Sequence, residues 1–343
     1  MKNVVINQVG STSEFKPDSI FEKYLDLTRM DVRAGLCAKN KMKAVSCCPA
    51  CKAREAKKAF SQFGFNYSEC QKCGSVYLNP RPLDADIKEY YMHSKAARFW
   101  RDTLARKTEG KRKEKIYEKR FQWLSDVSEN YLPSAETIAD FNSKDPEYVR
   151  EFLGVQHFKR KILVNPYFDT AVLNDSSVDV NEILTPGNPK TLLKHRETVD
   201  VACSFEAIDC SSDIESLLKS VHLMLHPKGI FFLTTISISG FDLQVLWDKS
   251  SSIFPPDRIN VLSKKGLEIL FKRHGFDMIE YSTPGFLDLD IVKNAVRKDP
   301  SIGLPRFVKT ILENGDEQVY RDFQEFLQLS KLSSFTRIVL RKR

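Results

Sequence analysis

Four cysteines near the N-terminus are the feature that most constrains this chain. Cys48 and Cys51 form one C-x2-C pair, and Cys70 and Cys73 form a second pair, with 18 residues between the two pairs. Each pair fits a tight turn that points two thiolates at one spot, and two such turns complete the tetrahedral shell that Zn²⁺ prefers. Cys47 could compete as a ligand, but Cys48 keeps the spacing. Because four thiolates leave no open coordination position, we expect a structural zinc ribbon over residues 47–82.

Length and charge set further limits. The 343 residues suffice for one large domain and one small one, and 42% hydrophobic residues can build a sizeable core. The net charge of +8 is typical of a protein that weakly attracts anionic substrates such as nucleotide sugars or phosphates, but it is too small to indicate nucleic acid. No apolar run approaches the roughly 20 residues that span a bilayer, and the start lacks the apolar core of a secretory signal. We therefore expect a cytoplasmic protein without a membrane span.

Helical patterns dominate the segments on either side of the ribbon. Residues 1–46 are interpreted as a helical arm, with an amphipathic helix at 17–25, and residues 83–133 as a helical linker. The linker includes a charged run at 106–120. We interpret this run as a solvated helix face, and a phosphate-facing surface is the alternative.

From residue 134 onward, short apolar runs alternate with helical patterns. The helices are predicted at 214–225 and 263–274, and a helical insertion is predicted at about 290–332. This alternation is typical of an α/β fold with a mostly parallel sheet, so 134–343 is predicted to be one such domain. The predicted strands are 137–141, 161–165, 199–205, 229–235, 276–281 and 335–340.

Several sequence blocks resemble a known family. The chain is similar to the bacterial class I S-adenosylmethionine (SAM) methyltransferases associated with sugar and polysaccharide biosynthesis, which often begin with a four-cysteine ribbon. This resemblance implies a Rossmann-like seven-stranded sheet with the last strand antiparallel, SAM as cofactor, and a sugar or nucleotide-sugar substrate. The blocks that carry it are 76–82 (VYLNPRP), 90–100, 225–235, 240–242, 255–260 and 282–290.

The turn that would hold SAM departs from the family pattern. Glycines in this turn let the backbone approach the cofactor without a Cβ clash. Here the turn follows Asp140, and the glycine positions carry Asn142, Lys144 and Pro146, whose side chains would project into the cofactor space. Asn165 stands where the second strand normally ends in a carboxylate that binds the ribose. The resemblance therefore implies degenerate SAM motifs.

The expected general bases are also replaced. The fourth strand leads into Asp209-Cys210 instead of a Glu-His pair, and the block that would read Pro-Pro-x-His ends in Arg258. No catalytic residue can be named. Three functions remain open: SAM-dependent methylation of a sugar or glycan precursor, a non-catalytic scaffold or partner for an active methyltransferase, or a crevice that binds another ligand altogether. The candidate cofactor contacts are Asp140, Asn142, Asn165 and Glu206, and the candidate substrate contacts are Asp242, Arg258 and Asn260.

Overall fold

The strands of the chain form two sheets. The computed structural model describes residues 10–37, 42–173, 182–184 and 189–343. Within these residues the strands are β1 (Ala56–Gln62), β2 (Phe65–Cys70), β3 (Val76–Leu78), β4 (Thr137–Phe141), β5 (Arg160–Val164), β6 (Glu182–Leu184), β7 (Val199–Phe205), β8 (Leu225–Ile236), β9 (Asn260–Val261), β10 (Phe276–Ser282) and β11 (Phe335–Lys342).

The α-helices of the described residues surround these sheets. They are α1 (Thr12–Phe15), α2 (Asp18–Asp31), α3 (Asp84–His93), α4 (Lys95–Phe99), α5 (Glu109–Arg112), α6 (Glu118–Tyr131), α7 (Pro146–Leu153), α8 (Pro189–Lys194), α9 (Ala207–Cys210), α10 (Ile214–Met224), α11 (Phe241–Leu246), α12 (Lys264–Arg273), α13 (Asp288–Lys298), α14 (Arg306–Asn314) and α15 (Glu317–Leu329). Shorter π- and 3₁₀-helical segments are Val32–Cys37, Trp100–Ala105, Lys113–Tyr117, Thr170–Leu173 and Trp247–Lys249.

The larger sheet has seven strands in the order β10-β11-β8-β7-β4-β5-β6. Strand β11 runs antiparallel to both of its neighbours, and the pairs from β8 to β6 are parallel. This is the α/β class I methyltransferase fold, so the predicted fold class is confirmed. Strand β6, at one edge of this sheet, was not among the predicted strands, because it spans only three residues.

Side-chain chemistry explains where the elements of this sheet begin. The central strands β7 and β8 are buried along most of their length, as expected for parallel strands covered by helices on both faces. Asp145 accepts a hydrogen bond from the backbone of α7, whose first turn contains Pro146, as the sequence predicts. Ser263 caps α12 in the same way, and Gly275 follows this helix with a φ of +79°.

The smaller sheet is antiparallel and contains strands from both halves of the sequence. Its order is β1-β2-β3-β9, so the last strand comes from the second half of the sequence. Val76 pairs with Val261, and Tyr77 pairs with Asn260. The ribbon is thus joined by backbone hydrogen bonds to the segment that precedes α12, a contact that the sequence did not predict.

The helices α13 to α15 lie between β10 and β11, where the helical insertion was predicted. The N-terminal arm packs against this insertion, because Asp290 accepts hydrogen bonds from the backbone and hydroxyl of Thr12. No helix in the described part of the chain has the length and apolar character to cross a membrane.

Candidate functional site

A cavity of about 370 Å³ lies at the carboxyl ends of β4, β7 and β8. This is the edge where open α/β sheets bind ligands, and the volume falls within the ~300–1,000 Å³ of small-molecule sites. Residues 143–145 and 205–206, which follow or end β4 and β7, contribute to its lining, as does 284–287 after β10. Phe15 and Lys16 bring the N-terminal arm to the same cavity.

Glu206 is a predicted site residue that lines this cavity. Its backbone is left-handed, with a φ of +58°, where β7 turns into α9. The carboxylate accepts from Arg258 at 2.9 Å and from Arg120 at 3.4 Å. Burial raises the pKa of Glu206, but Arg258, Arg120 and Lys144 outweigh it and hold the pKa well below its usual range. The carboxylate is therefore ionised and already paired within the protein.

Asp257 forms a second ionic group in the cavity. It accepts from the hydroxyls of Tyr24 at 3.2 Å and Tyr91 at 2.5 Å. The ammonium of Lys144 lies 3.7 Å from this carboxylate and 5.0 Å from the centre of the Tyr91 ring. Burial raises the pKa of Asp257, yet Lys144 and Arg258 bring it below its ordinary value. Lys144, which the resemblance places at a glycine position of the family pattern, thus lines the cavity.

The two asparagines predicted to contact the cofactor contact each other. Asn165 Nδ2 donates to Asn142 Oδ1 at 3.0 Å, and Lys88 Nζ of α3 donates to Asn165 Oδ1 at 2.9 Å. Both asparagines have a left-handed backbone, with φ values of 58° and 52°. The amide of Asn165 therefore has both its oxygen and its nitrogen engaged by protein groups. Neither asparagine is among the described residues that line the cavity.

Asp140 lies beneath the cavity rather than in its lining. It is buried and accepts from the side chains of Ser143, Tyr148 and Cys203. Burial raises its pKa to about 6 despite these donors. Its visible role is to tie the turn after β4 to the neighbouring strand and helix.

Of the three predicted substrate contacts, only Arg258 lines the cavity. Asn260 is buried, and its amide donates to the carbonyls of Ile208 and Ser211. Asp242 is buried in α11, where burial and the neighbouring carboxylate of Asp288 raise its pKa well above the ordinary range. Asn260 therefore holds elements together, and neither Asn260 nor Asp242 is among the described residues that line the cavity.

The linker supplies cavity residues that the sequence analysis missed. The prediction of a solvated face at 106–120 is wrong for Arg112 and Arg120, which are buried and line the cavity. Arg120 lies 4.5 Å from the centre of the Phe205 ring, and Arg112 lies 4.8 Å from that of Trp100. The sequence did contain a sign of this shared face, because Arg112, Ile116 and Arg120 follow one another at intervals of four residues, which places them on one side of a helix.

The four cysteines of the ribbon converge. The sulfurs of Cys48, Cys51, Cys70 and Cys73 all lie within 4.8 Å of one another and could hold a metal ion. Cys48 and Cys73 are 3.7 Å apart, and Cys51 and Cys70 are 3.5 Å apart. A tetrahedral shell with Zn–S bonds of 2.3 Å has S–S edges of about 3.8 Å, so the arrangement fits zinc. Cys47 lies outside this cluster.

Asp209, a buried neighbour of Arg258 outside the cavity lining, gives the stability of the protein a pH dependence that can be measured. It is fully buried, accepts from Thr235, and lies 3.5 Å from Arg258. Burial raises its pKa to about 7, above its ordinary value of 3.8. Since the folded state keeps a proton that the unfolded state loses between about pH 4 and 7, wild-type stability falls as the pH rises through this window.

We expect Asp209→Asn to remove this pH dependence. The variant should match wild type near pH 4 and be more stable by about 2–4 kcal/mol at pH 8. Urea unfolding of both proteins across this range measures the difference. A difference that does not change with pH would contradict the assignment.

Comparison with known proteins agrees with the observed sheet. Residues 136–281 match the family model described as a methyltransferase domain. No curated protein matches the chain at a significant level.

Solved structures show low similarity. A SAM-dependent methyltransferase of Thermotoga maritima has 16% identity, covers 70% of this chain and 98% of its own, and has a TM-score of 0.38. The cyclopropane synthase MmaA2 of Mycobacterium tuberculosis has 16% identity, with coverages of 64% and 82% and a TM-score of 0.38. The [4+2]-cyclase SpnF has 10% identity, with coverages of 64% and 79% and the same score. Likenesses this distant do not bear on the reaction.

Proposed function

We propose that this methyltransferase-fold protein does not hold SAM in the usual place and transfers no methyl group from it, and that its cavity receives a different ligand. The observation that carries this proposal is the network of Asn142, Asn165 and Lys88. Asn165 stands where the resemblance puts the carboxylate for the ribose hydroxyls, and its amide is bonded by the other two side chains. A ribose there would have to break both hydrogen bonds.

The turn after β4 supports the same proposal. The backbone N–H of Asn142 donates to the carbonyl of Val164, and that of Glu147 donates to the Asp145 side chain. Lys144 adds a long side chain where the family has glycine, and it contacts Asp257 and Tyr91. Two backbone donors of this segment and the side chain of Lys144 are thus engaged by the protein itself, which supports a turn that does not receive the cofactor.

Calorimetry with SAM and S-adenosylhomocysteine tests the proposal. We expect no binding heat up to about 1 mM, which corresponds to a binding free energy weaker than about −4 kcal/mol. An active methyltransferase of this fold, titrated under the same conditions, is the positive control. Saturable micromolar binding of either compound at one site per chain would contradict the proposal.

An active methyltransferase is the second candidate. The position of the cavity next to residues 143–145 favours it, because this is where the resemblance places the donor. Its substrate would be a sugar or a nucleotide sugar, as the resemblance implies. The role of a scaffold for an active methyltransferase also stays a prediction, and recovery of such an enzyme in complex with the full chain would support it.

For the four-cysteine site we propose a structural Zn²⁺. The S–S distances fit a tetrahedral thiolate shell, and the cluster is mostly buried. The hydroxyl of Ser263, the residue that caps α12, donates to the carbonyl of Cys73. The metal site is therefore attached directly to the start of α12. A metal here would hold the ribbon and the larger domain in one arrangement.

A further inference from the structure

The cavity walls carry an excess of positive charge. Eight cationic side chains line it, against the four carboxylates of Asp145, Glu206, Asp257 and Asp288. Two of these carboxylates, Glu206 and Asp257, already pair with cations of the cavity. The cations are Lys16, Arg101, Arg112, Lys115, Arg120, Lys144, Arg258 and Arg337.

Lys16 is the clearest unbalanced charge. Within the described residues, no carboxylate lies within ion-pair distance of its ammonium, although Phe21 lies beneath it at 4.8 Å. Burial and the charges of Arg258 and Arg112 together lower its pKa to about 8, although the carboxylates of Glu206 and Asp257 act in the opposite direction. Lys16, Arg112 and Arg258 line the same cavity, and like charges in one cavity destabilise each other unless anions balance them.

The arm that carries Lys16 is held in place. Glu14 pairs with Lys115 at 2.6 Å, and the ring of Phe15 packs edge-on against Phe286. Arg112 donates to the backbone carbonyl of Phe15 at 3.2 Å. The position of Lys16 beside Arg112 is therefore fixed by the fold, and an incoming anion would meet preorganised donors.

Two arginines keep unused donors. Among the described residues, the Nε of Arg258 and the Nε of Arg337 are buried without a hydrogen-bond partner. Arg112 stacks on Trp100 and, within the described chain, has no carboxylate in ion-pair distance. Buried donors without acceptors are costly, and a bound oxyanion would satisfy them.

We propose that the cavity binds a small organic molecule through a phosphate or diphosphate group, which contacts Lys16, Arg112 and Arg258. Guanidinium groups match phosphate oxygens in geometry and charge, and a phosphate brings negative charge to a cavity whose lining has more cations than carboxylates. The organic part would contact the aromatic side chains of Tyr24, Trp100 and Phe254. This proposal rests on the proposed function, because it names the ligand that takes the place of SAM.

Titration of the zinc-loaded full chain with inorganic pyrophosphate tests the proposal. We compare wild type with Lys16→Met and with Lys111→Met, a control whose lysine is exposed and paired with Glu114 outside the cavity. Calorimetry at constant ionic strength gives the affinity, and the emission of Trp100 reports occupancy. Trp100→Phe identifies that signal among the three tryptophans.

We expect saturable binding to wild type and to Lys111→Met. Loss of one charged donor should weaken binding to Lys16→Met by roughly tenfold or more. Without pyrophosphate, Lys16→Met should melt at or above the wild-type temperature, because a buried unbalanced charge is removed. Weaker binding together with an equal or higher melting temperature distinguishes the loss of a binding contact from a loss of folding.

The proposal is overturned if pyrophosphate gives no more heat than sodium chloride at equal ionic strength, or if Lys16→Met binds it as wild type does. Its failure is distinct from that of the proposed function. Binding of SAM with normal pyrophosphate binding would overturn only the function, and absence of both would overturn only the phosphate site.

Discussion

Replacing Cys70 by serine is expected to abolish zinc binding and to unfold the ribbon. Structural zinc sites contribute on the order of 10–16 kcal/mol to the folding of small modules, and three ligands cannot close this shell. The apolar residues of β1 to β3 pack in a core that they share with α2 and α3, so the ribbon has no separate core of its own to replace that contribution. Metal analysis of the purified chain should give one zinc in wild type and none in Cys70→Ser. Treatment of wild type with a strong chelator should produce the same unfolding.

Loss of the zinc site should also loosen the segment that lines one side of the cavity. The hydroxyl of Tyr67 donates to the carbonyl of Arg258 at 2.7 Å, and the backbone of Leu78 donates to the carbonyl of Ile259 at 2.8 Å. These contacts hold the segment that carries Asp257 and Arg258. Hydrogen exchange should therefore accelerate at 257–261 as well as in the ribbon of Cys70→Ser.

Cys47→Ser is the matched control, since Cys47 is adjacent in sequence but outside the cluster. It should keep its zinc and its exchange pattern. A Cys47→Ser protein without zinc, or a Cys70→Ser protein with full zinc, would show that the ligand set is wrong.

Arg258→Met is expected to destabilise the protein by about 2–4 kcal/mol. Removing one partner of a buried ion pair costs about 3–5 kcal/mol when the other charge is left uncompensated. The value is smaller here because Glu206 is partly exposed to the cavity and keeps Arg120 at 3.4 Å. Both Glu206 and Asp209 lose Arg258 in this variant. Urea unfolding at pH 7 measures the loss.

Adding Glu206→Gln to Arg258→Met should recover part of that stability, because the second change removes a carboxylate that has lost its nearer arginine and keeps only Arg120 at 3.4 Å. Arg297→Met is the control, since its pair with Asp18 is exposed and should contribute less than about 1 kcal/mol. A double variant less stable than Arg258→Met alone would contradict the assigned pairing.

The fold could be predicted largely from local patterns. Cysteine spacing indicated the ribbon, and alternating apolar runs with caps such as Ser263 indicated the parallel sheet. Both depend on residues close together in the sequence. The pairing of β3 with β9 joins residues about 180 positions apart, and no local pattern reports such a contact.

The cavity was predictable only at the strand ends. Glu206 was named from its place at a strand end and Arg258 from the family pattern, and the structure brings them together. Lys16 and Arg112 were missed, because they come from segments outside the sheet, and a lysine or arginine is usually solvated. Their role depends on burial, which arises when the arm and linker fold over the sheet.

The most direct test of the central claim is a crystal structure of the zinc-loaded chain grown with S-adenosylhomocysteine in excess. We predict no cofactor beside residues 142–145, with the amide of Asn165 still bonded to Lys88 and Asn142. Density for the cofactor over that turn, with Asn165 rotated toward the ribose, would contradict the account.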